Sequence, residues 1–258
     1  MQKVSAIVPF LNEQKTIASV VKILLSHPLI NEVICVNDGS TDKAVQKLNP
    51  YKNRIILISL PKNQGKGYAL VAGIKKAKNK IVAFFDADLV GLSGAHIDQL
   101  LTPILTKEAR AVMGYKLPTR QNAVAIFMKE LSGERAYYKR DLLPHLDEMA
   151  NVRFGVEVFL NHLFKNKVVK RVPLLKLRHL QKYQKYTPQQ AIKETLKEVV
   201  EITQQFGRQE GLLPKDYGLL ERLEKLTELS EIKKTVSRIT NKEARGRFKR
   251  LLAYLTTI

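Results

Sequence analysis

The sequence predicts an α/β protein: a mostly parallel sheet flanked by helices, followed by a helical C-terminal extension. Three observations carry that prediction. Short apolar runs alternate with helical patterns through the first half of the chain, clusters of polar residues stand just after those runs, and from Pro188 onward only helical spacing remains. Strands that alternate with helices pair in parallel, because the helix has to carry the chain back across the sheet. Ligands of such sheets bind beyond the carboxyl ends of the strands. The polar clusters therefore mark the expected functional crevice.

Residues 4–9 form the first apolar strand. Asn12 or its neighbours supply the cap of a helix in which Thr16, Ile17, Val20, Val21, Leu24 and Leu25 recur at the spacing of one face. Residues 32–36 are a second strand, ending in the turn and cap residues Asn37-Asp38-Gly39-Ser40-Thr41-Asp42. Residues 54–59 are a third. Asn63-Gln64-Gly65-Lys66-Gly67 then leads into a helix through Ala69, Leu70, Ala72, Gly73 and Ala77, and residues 81–85 are a fourth strand. A helix and a strand follow within 97–113, the strand reaching Tyr115. After a less regular stretch over 116–133, a helix opens at Phe154 and runs to about residue 164. Residues 168–172 read as the last strand, with His179 shortly after it. These elements set the expected domains: 1–180 as the α/β core and 181–258 as a basic helical extension. In the extension Ile192, Leu196, Val199, Thr203 and Phe206 share one face, and two further helices are expected, one ending near residue 229 and one over 232–255.

The chain has 258 residues, 45% of them hydrophobic, enough for one core with an appendage. Cys35 is the only cysteine, which excludes an internal disulfide framework or a cysteine metal cluster and fits a reducing cytoplasm. The opening residues lack the pattern of a secretory leader, and no apolar run approaches a membrane span. The formal charge of +20, from 44 Lys and Arg against 24 Asp and Glu, predicts attraction to anions. Over 231–258, Ile232, Val236, Ile239, Phe248, Leu251, Leu252 and Leu255 stand among lysines and arginines. Such a basic amphipathic segment packs on the core or on a second copy, as a homodimer, or else lies peripherally on an anionic membrane. Nucleic acid is the least favoured anionic partner.

The stretch Phe84-Phe85-Asp86-Ala87-Asp88 ends the fourth strand with two carboxylates one residue apart. At roughly 5 Å and an effective dielectric near 20, their repulsion is on the order of 3 kcal/mol. A divalent cation removes that cost, and Mg²⁺ or Mn²⁺ prefers carboxylates completed by phosphate oxygens and water. The stretch thus points to a metal-diphosphate site. Glu13, Asp38, Lys66 and Asp88 all follow strands and converge on one crevice. A dinucleotide-binding turn is excluded, since Pro9-Phe10-Leu11-Asn12-Glu13 has no glycine triplet, and Gly65-Lys66-Gly67 is too short for a P-loop. Taken singly these residues have plainer uses: Asp38 in a turn, Lys66 in solvent, Glu157 paired with Arg153 or Arg171.

Residues 4–13 (VSAIVPFLNE), 32–42 (EVICVNDGSTD), 62–70 (KNQGKGYAL) and 81–89 (IVAFFDADL), in that order, resemble the nucleotide-sugar-binding half of family 2 type glycosyltransferases with the GT-A fold. Residues 132–136 (SGERA), 154–158 (FGVEV) and His179 further resemble the subgroup of glucosyl-3-phosphoglycerate synthase and the soluble polyprenyl-phosphate sugar transferases. The resemblance implies residue roles. Pro9, Leu11 and Glu13 would frame the nucleoside, Asp38 would face the base, and Gly39 would allow its close approach. Lys66 would sit by the base or diphosphate, Asp86 would hold the ribose or, through water, the metal, and Ala87 would line the nucleotide. Asp88 and His179 would ligate Mg²⁺ or Mn²⁺. Glu157 would hold donor-sugar hydroxyls or act as the base near the acceptor, and Arg120 and Arg135 are acceptor-phosphate candidates by chemistry. The implied activity is non-processive transfer of a hexosyl unit from a nucleotide sugar, a UDP-sugar being favoured, to a phosphorylated small molecule or a polyprenyl phosphate. An inactive nucleotide-sugar-binding or membrane-associated module of the same fold is the alternative. The chain has no tryptophan, which rules out the Trp-containing signature of processive synthases.

Overall fold

The computed structural model describes residues 3–116 and 132–180 continuously, with 182–185, 229–240 and scattered positions elsewhere in the C-terminal part. The chain divides into two compact units, one of residues 1–117 and 129–180, the other of residues 118–128 and 181–258.

In the first unit, seven strands form one sheet in the order β3-β2-β1-β4-β7-β6-β8. β1 (Val4–Phe10), β2 (Ile30–Asn37), β3 (Ile56–Ser59) and β4 (Ile81–Phe84) are mutually parallel. All four therefore end on one edge. β1 lies inside the sheet and is buried along its whole length, which is why it reads as an unbroken apolar run. Its side chains alternate between two cores. Val4, Ala6 and Val8 meet α1 (Ile17–Ser26) and α4 (Gly94–Leu105) on one face, while Ile7 meets α3 (Lys66–Lys76) on the other. Gly73 permits α3 to lie this close: a Cβ there would come within 2.4 Å of Ile7 Cγ2.

The parallel pattern breaks at β7 (Arg135–Tyr138), which runs antiparallel between β4 and β6 (Ala111–Tyr115). The sequence pattern does not announce this strand. Beyond it, two short helices, α5 (Lys139–Leu142) and α6 (Leu146–Ala150), precede α7 (Val156–Leu163), and β8 (Val169–Pro173) closes the sheet parallel to β6. A separate two-stranded ribbon pairs β5 (Leu89–Val90) with β9 (Arg178–His179), setting Leu89 opposite His179. That pairing carries the end of the core back to the acidic stretch.

Two expectations change. Asn12 does not cap α1: it takes a left-handed φ of 58°, and its Oδ1 accepts from the amides of Thr41 and Asp42, tying the loop after β1 to the loop after β2. The helix expected over 232–255 is interrupted, since α9 (Leu229–Ser237) ends in a turn at Arg238 and leaves helical geometry by Ile239. There Ser237 Oγ donates to the Lys234 carbonyl, and the last amides bond three residues back. α8 (Lys182–Lys185) is a further short helix of this unit. The expected face from Ile192 to Phe206 lies outside the described residues, as does most of 241–258. Among the described residues no helix is long and apolar enough to cross a membrane.

Candidate active site

The site is assembled at the carboxyl edge of β1, β2 and β4. After β2, Asp38 is buried and turns its carboxylate onto the next loop, where Oδ1 accepts from Gln64 N at 2.7 Å and Oδ2 from Gly65 N at 2.9 Å. The expected contact of Asp38 with a base thus competes with a structural task, holding the loop that presents Lys66. Gly39 has φ 79°, and a Cβ would stand 2.7 Å from Asn63 N, so the close approach it allows is that of the same loop. Pro9 is buried in β1, and Leu11 and Glu13 follow it in the half-buried loop before α1. The carbonyl of Glu13 there accepts the amides of Thr16 and Ile17.

Lys66 opens α3 and reaches across the crevice. Its Nζ lies 2.6 Å from Asp86 Oδ1 and 2.6 Å from Glu157 Oε1, the latter projecting from the first turn of α7. Burial alone would lower the Lys66 pKa, but the two carboxylates outweigh it and raise it, so the ammonium stays charged. Asp86 and Ala87 follow β4, Ala87 buried and Asp86 facing the crevice.

His179 meets Asp88 as the ribbon demands: Nδ1 lies 2.7 Å from Asp88 Oδ1, and Leu180 N bonds to the Asp88 carbonyl. Its Nε2 contacts Lys116 Nζ, and Lys116 pairs with Glu134 Oε2. Burial and Lys116 push the His179 pKa down, and Asp88 with Glu134 overcomes both to raise it. Glu134 is fully buried, which pushes its pKa up, yet Lys116, His179 and the Ser132 hydroxyl hold it well below the usual carboxylate range.

The resemblance includes Glu134 within the stretch SGERA but gives it no role, and it does not reach Lys116. The available signal was an acidic residue wedged between Gly133 and a run that enters the core. Asp86, Glu134 and His179 each offer one atom within 4.8 Å of the others, and Glu134 Oε1 is buried without a hydrogen-bond partner among the described residues. An orphaned buried oxygen beside hard carboxylate and imidazole donors fits Mg²⁺ or Mn²⁺. Where Asp88 with His179 is the expected ligand pair, this grouping takes in Asp86 and Glu134 beside His179, and Asp88 Oδ1 lies 2.7 Å from Nδ1 of the same ring.

Arg135 does not fit an acceptor-phosphate role. It is 2% exposed on β7, and its guanidinium donates to the Ser132 carbonyl, Asn161 Oδ1 and the Tyr137 hydroxyl, so it is committed to the interior. Arg120 lies outside the described residues.

Residues 5–169 match the model of the family described as Glycosyl transferase family 2. Glucosyl-3-phosphoglycerate synthase of Mycolicibacterium smegmatis is 32% identical over 110 residues, covering 40% of this chain and 36% of that protein. Dodecaprenyl-phosphate galacturonate synthase of Rhizobium johnstonii is 25% identical over 144 residues, 53% of this chain and 41% of that protein. The matches thus span about two fifths or less of those relatives' length. The crystal structure of glucosyl-3-phosphoglycerate synthase from Mycobacterium tuberculosis with Mn²⁺, uridine diphosphate and phosphoglyceric acid superposes with a TM-score of 0.63 at 22% identity, covering 81% of this chain and 79% of that one. At that identity the likeness speaks for the fold.

Proposed function

Because the chain belongs to glycosyl transferase family 2, we propose that it moves a hexosyl unit from a nucleotide sugar to a phosphorylated acceptor, without processive chain extension. The observation that carries this reading is the convergence of Lys66, Asp86, Asp88, Glu134, Glu157 and His179 beyond the ends of the parallel strands. A UDP-sugar is the favoured donor, in keeping with the uridine nucleotides bound by the structurally similar synthase. A small phosphorylated molecule or a polyprenyl phosphate is the acceptor class, as the names of the relatives suggest.

Asp86, Glu134 and His179, with Asp88 behind the ring, would hold Mg²⁺ or Mn²⁺, which when bound supplies charge stabilisation to the leaving diphosphate. Lys66 keeps a permanent positive charge in the same crevice, where negative charge develops as the sugar-phosphate bond breaks. Glu157 Oε1 lies 2.6 Å from Lys66 Nζ, and its oxygens can accept hydrogen bonds from sugar hydroxyls. Residues 1–180 form the catalytic part in this reading. The extension over 181–258 is accessory, its basic segment 231–258 serving contact with a membrane surface or a second copy.

The test is a thermal-shift screen of UDP- and GDP-sugars with Mn²⁺, followed by assay of sugar release without acceptor. A ligand bound only by the folded state raises the melting point. Stabilisation by a UDP-sugar together with slow metal-dependent hydrolysis is expected, and the absence of nucleotide-diphosphate binding would overturn the reading.

A further inference from the structure

Glu134 and His179 are joined by a lysine. Lys116, the residue after β6, places Nζ 2.5 Å from Glu134 Oε2 and against His179 Nε2. Its side chain is largely buried and Glu134 is wholly so, which makes this an internal ion pair rather than a surface one. Across the crevice Lys66 does the same for Asp86 and Glu157. The two ammonium groups face the carboxylates of Asp86, Glu134 and Glu157, and His179 faces that of Asp88.

We propose that Lys116 is the resident cation of this centre, and that a divalent ion competes with the Lys116 ammonium for His179 Nε2 and for the charge of Glu134. The inference rests on the metal-dependent reading above. Glu134 is too deeply buried to remain ionised without a counter-charge, and Lys116 supplies one when no metal does. An ammonium and a divalent ion cannot both take Nε2 of one imidazole, which has a single lone pair there. The lysine must yield, and its four-carbon stem at the end of a strand lets it swing away without moving the backbone. Displacing it costs affinity, so the metal binds weakly alone. A diphosphate brings negative charge that can receive the freed ammonium, and by linkage each of metal and nucleotide then strengthens the other.

The experiment titrates Mn²⁺ into the full chain without nucleotide, following free Mn²⁺ by electron paramagnetic resonance, for wild type, Lys116→Met, Lys116→Gln and Lys116→Arg. The Gln variant serves if the Met variant does not fold. Removal of the charge is expected to tighten Mn²⁺ binding about tenfold or more, while Arg, which keeps it, stays near wild type. The metal-free Met variant should melt below wild type and recover on adding Mn²⁺. Uridine diphosphate should raise the Mn²⁺ affinity of wild type more than that of the Met variant. Equal or weaker Mn²⁺ binding by the uncharged variants, with wild type still binding, overturns the competition and leaves the metal reading intact. No Mn²⁺ binding by any of the proteins overturns both.

Discussion

Gly133 lies so close to Asp86 that a Cβ at Gly133 would stand 2.3 Å from Oδ2 and 2.4 Å from Oδ1. The carboxylate is thereby wedged between this backbone and the ammonium of Lys66, at 2.6 Å. In Gly133→Ala it has to rotate away, because the side chain yields more readily than the strand. Little stability should be lost, about 1 kcal/mol, at the low end of overpacking costs. Nucleotide affinity should fall about tenfold, which corresponds to ~1.4 kcal/mol. Calorimetry with a UDP-sugar beside a thermal melt separates the two, and an unchanged affinity would show that Asp86 is not part of the nucleotide site.

Lys66 holds Asp86 and Glu157 together, and each of the three side chains is more than four-fifths buried. Lys66→Met leaves two carboxylates facing each other without a cation. Breaking a buried pair by deleting one partner costs about 3–5 kcal/mol. Part of that loss should return in the double variant Lys66→Met with Glu157→Gln, since the stranded charge goes with it. Urea denaturation of the four proteins of this cycle measures the coupling. A coupling near zero would mean that the bridge does not form in solution.

Much of this fold is legible in the sequence because the parallel strands are buried on both faces and must be apolar throughout. β1, β2 and β4 stand out for that reason, and their polar successors Asp38 and Asp86 mark the crevice. β7 is harder to see: it enters the sheet with Glu134 and Arg135, charges that only tertiary partners make tolerable. Lys116, His179 and Ser132 compensate the first, and Asn161 with the Ser132 carbonyl satisfies the second. Those partners lie up to 63 residues apart in sequence, as Lys116 and His179 do, so no local pattern reports them. The same remoteness hides the task of Asp38, whose carboxylate reads as a ligand contact until the amides of Gln64 and Gly65 are seen against it.

Glu134 also sets a pH signature. Its ordinary pKa is 4.5, and in the folded protein it lies lower, since Lys116 and His179 prevail over burial. A carboxyl with a depressed folded pKa contributes stability above its unfolded value, and that contribution disappears as the pH falls through the folded value. Glu134→Gln should therefore be less stable than wild type at pH 7, with the gap closing below pH 4.5. Melting curves between neutral and acid pH test this. A gap that stays constant down to acid would place the defect in packing instead of charge.

Asp38 supports Lys66 from beneath, because both of its carboxylate oxygens accept amides of the Gln64–Gly65 turn. Hydrogen bonds to a charged group contribute about 1.5–3 kcal/mol each. Asp38→Ala should thus lose about 3 kcal/mol and release the loop that starts α3. Asp38→Asn is the sharper probe. An amide has one acceptor oxygen and turns an NH₂ donor toward the second amide, so this nearly isosteric change should loosen the turn almost as much as alanine does. Hydrogen exchange at Gln64 and Gly65 reads the turn directly, and nucleotide affinity by calorimetry reads its effect on Lys66. Both amides should exchange faster in the Asn variant, with weaker binding. Retained protection at both positions would show that the turn stands without Asp38 and would return its carboxylate to the role of a base contact.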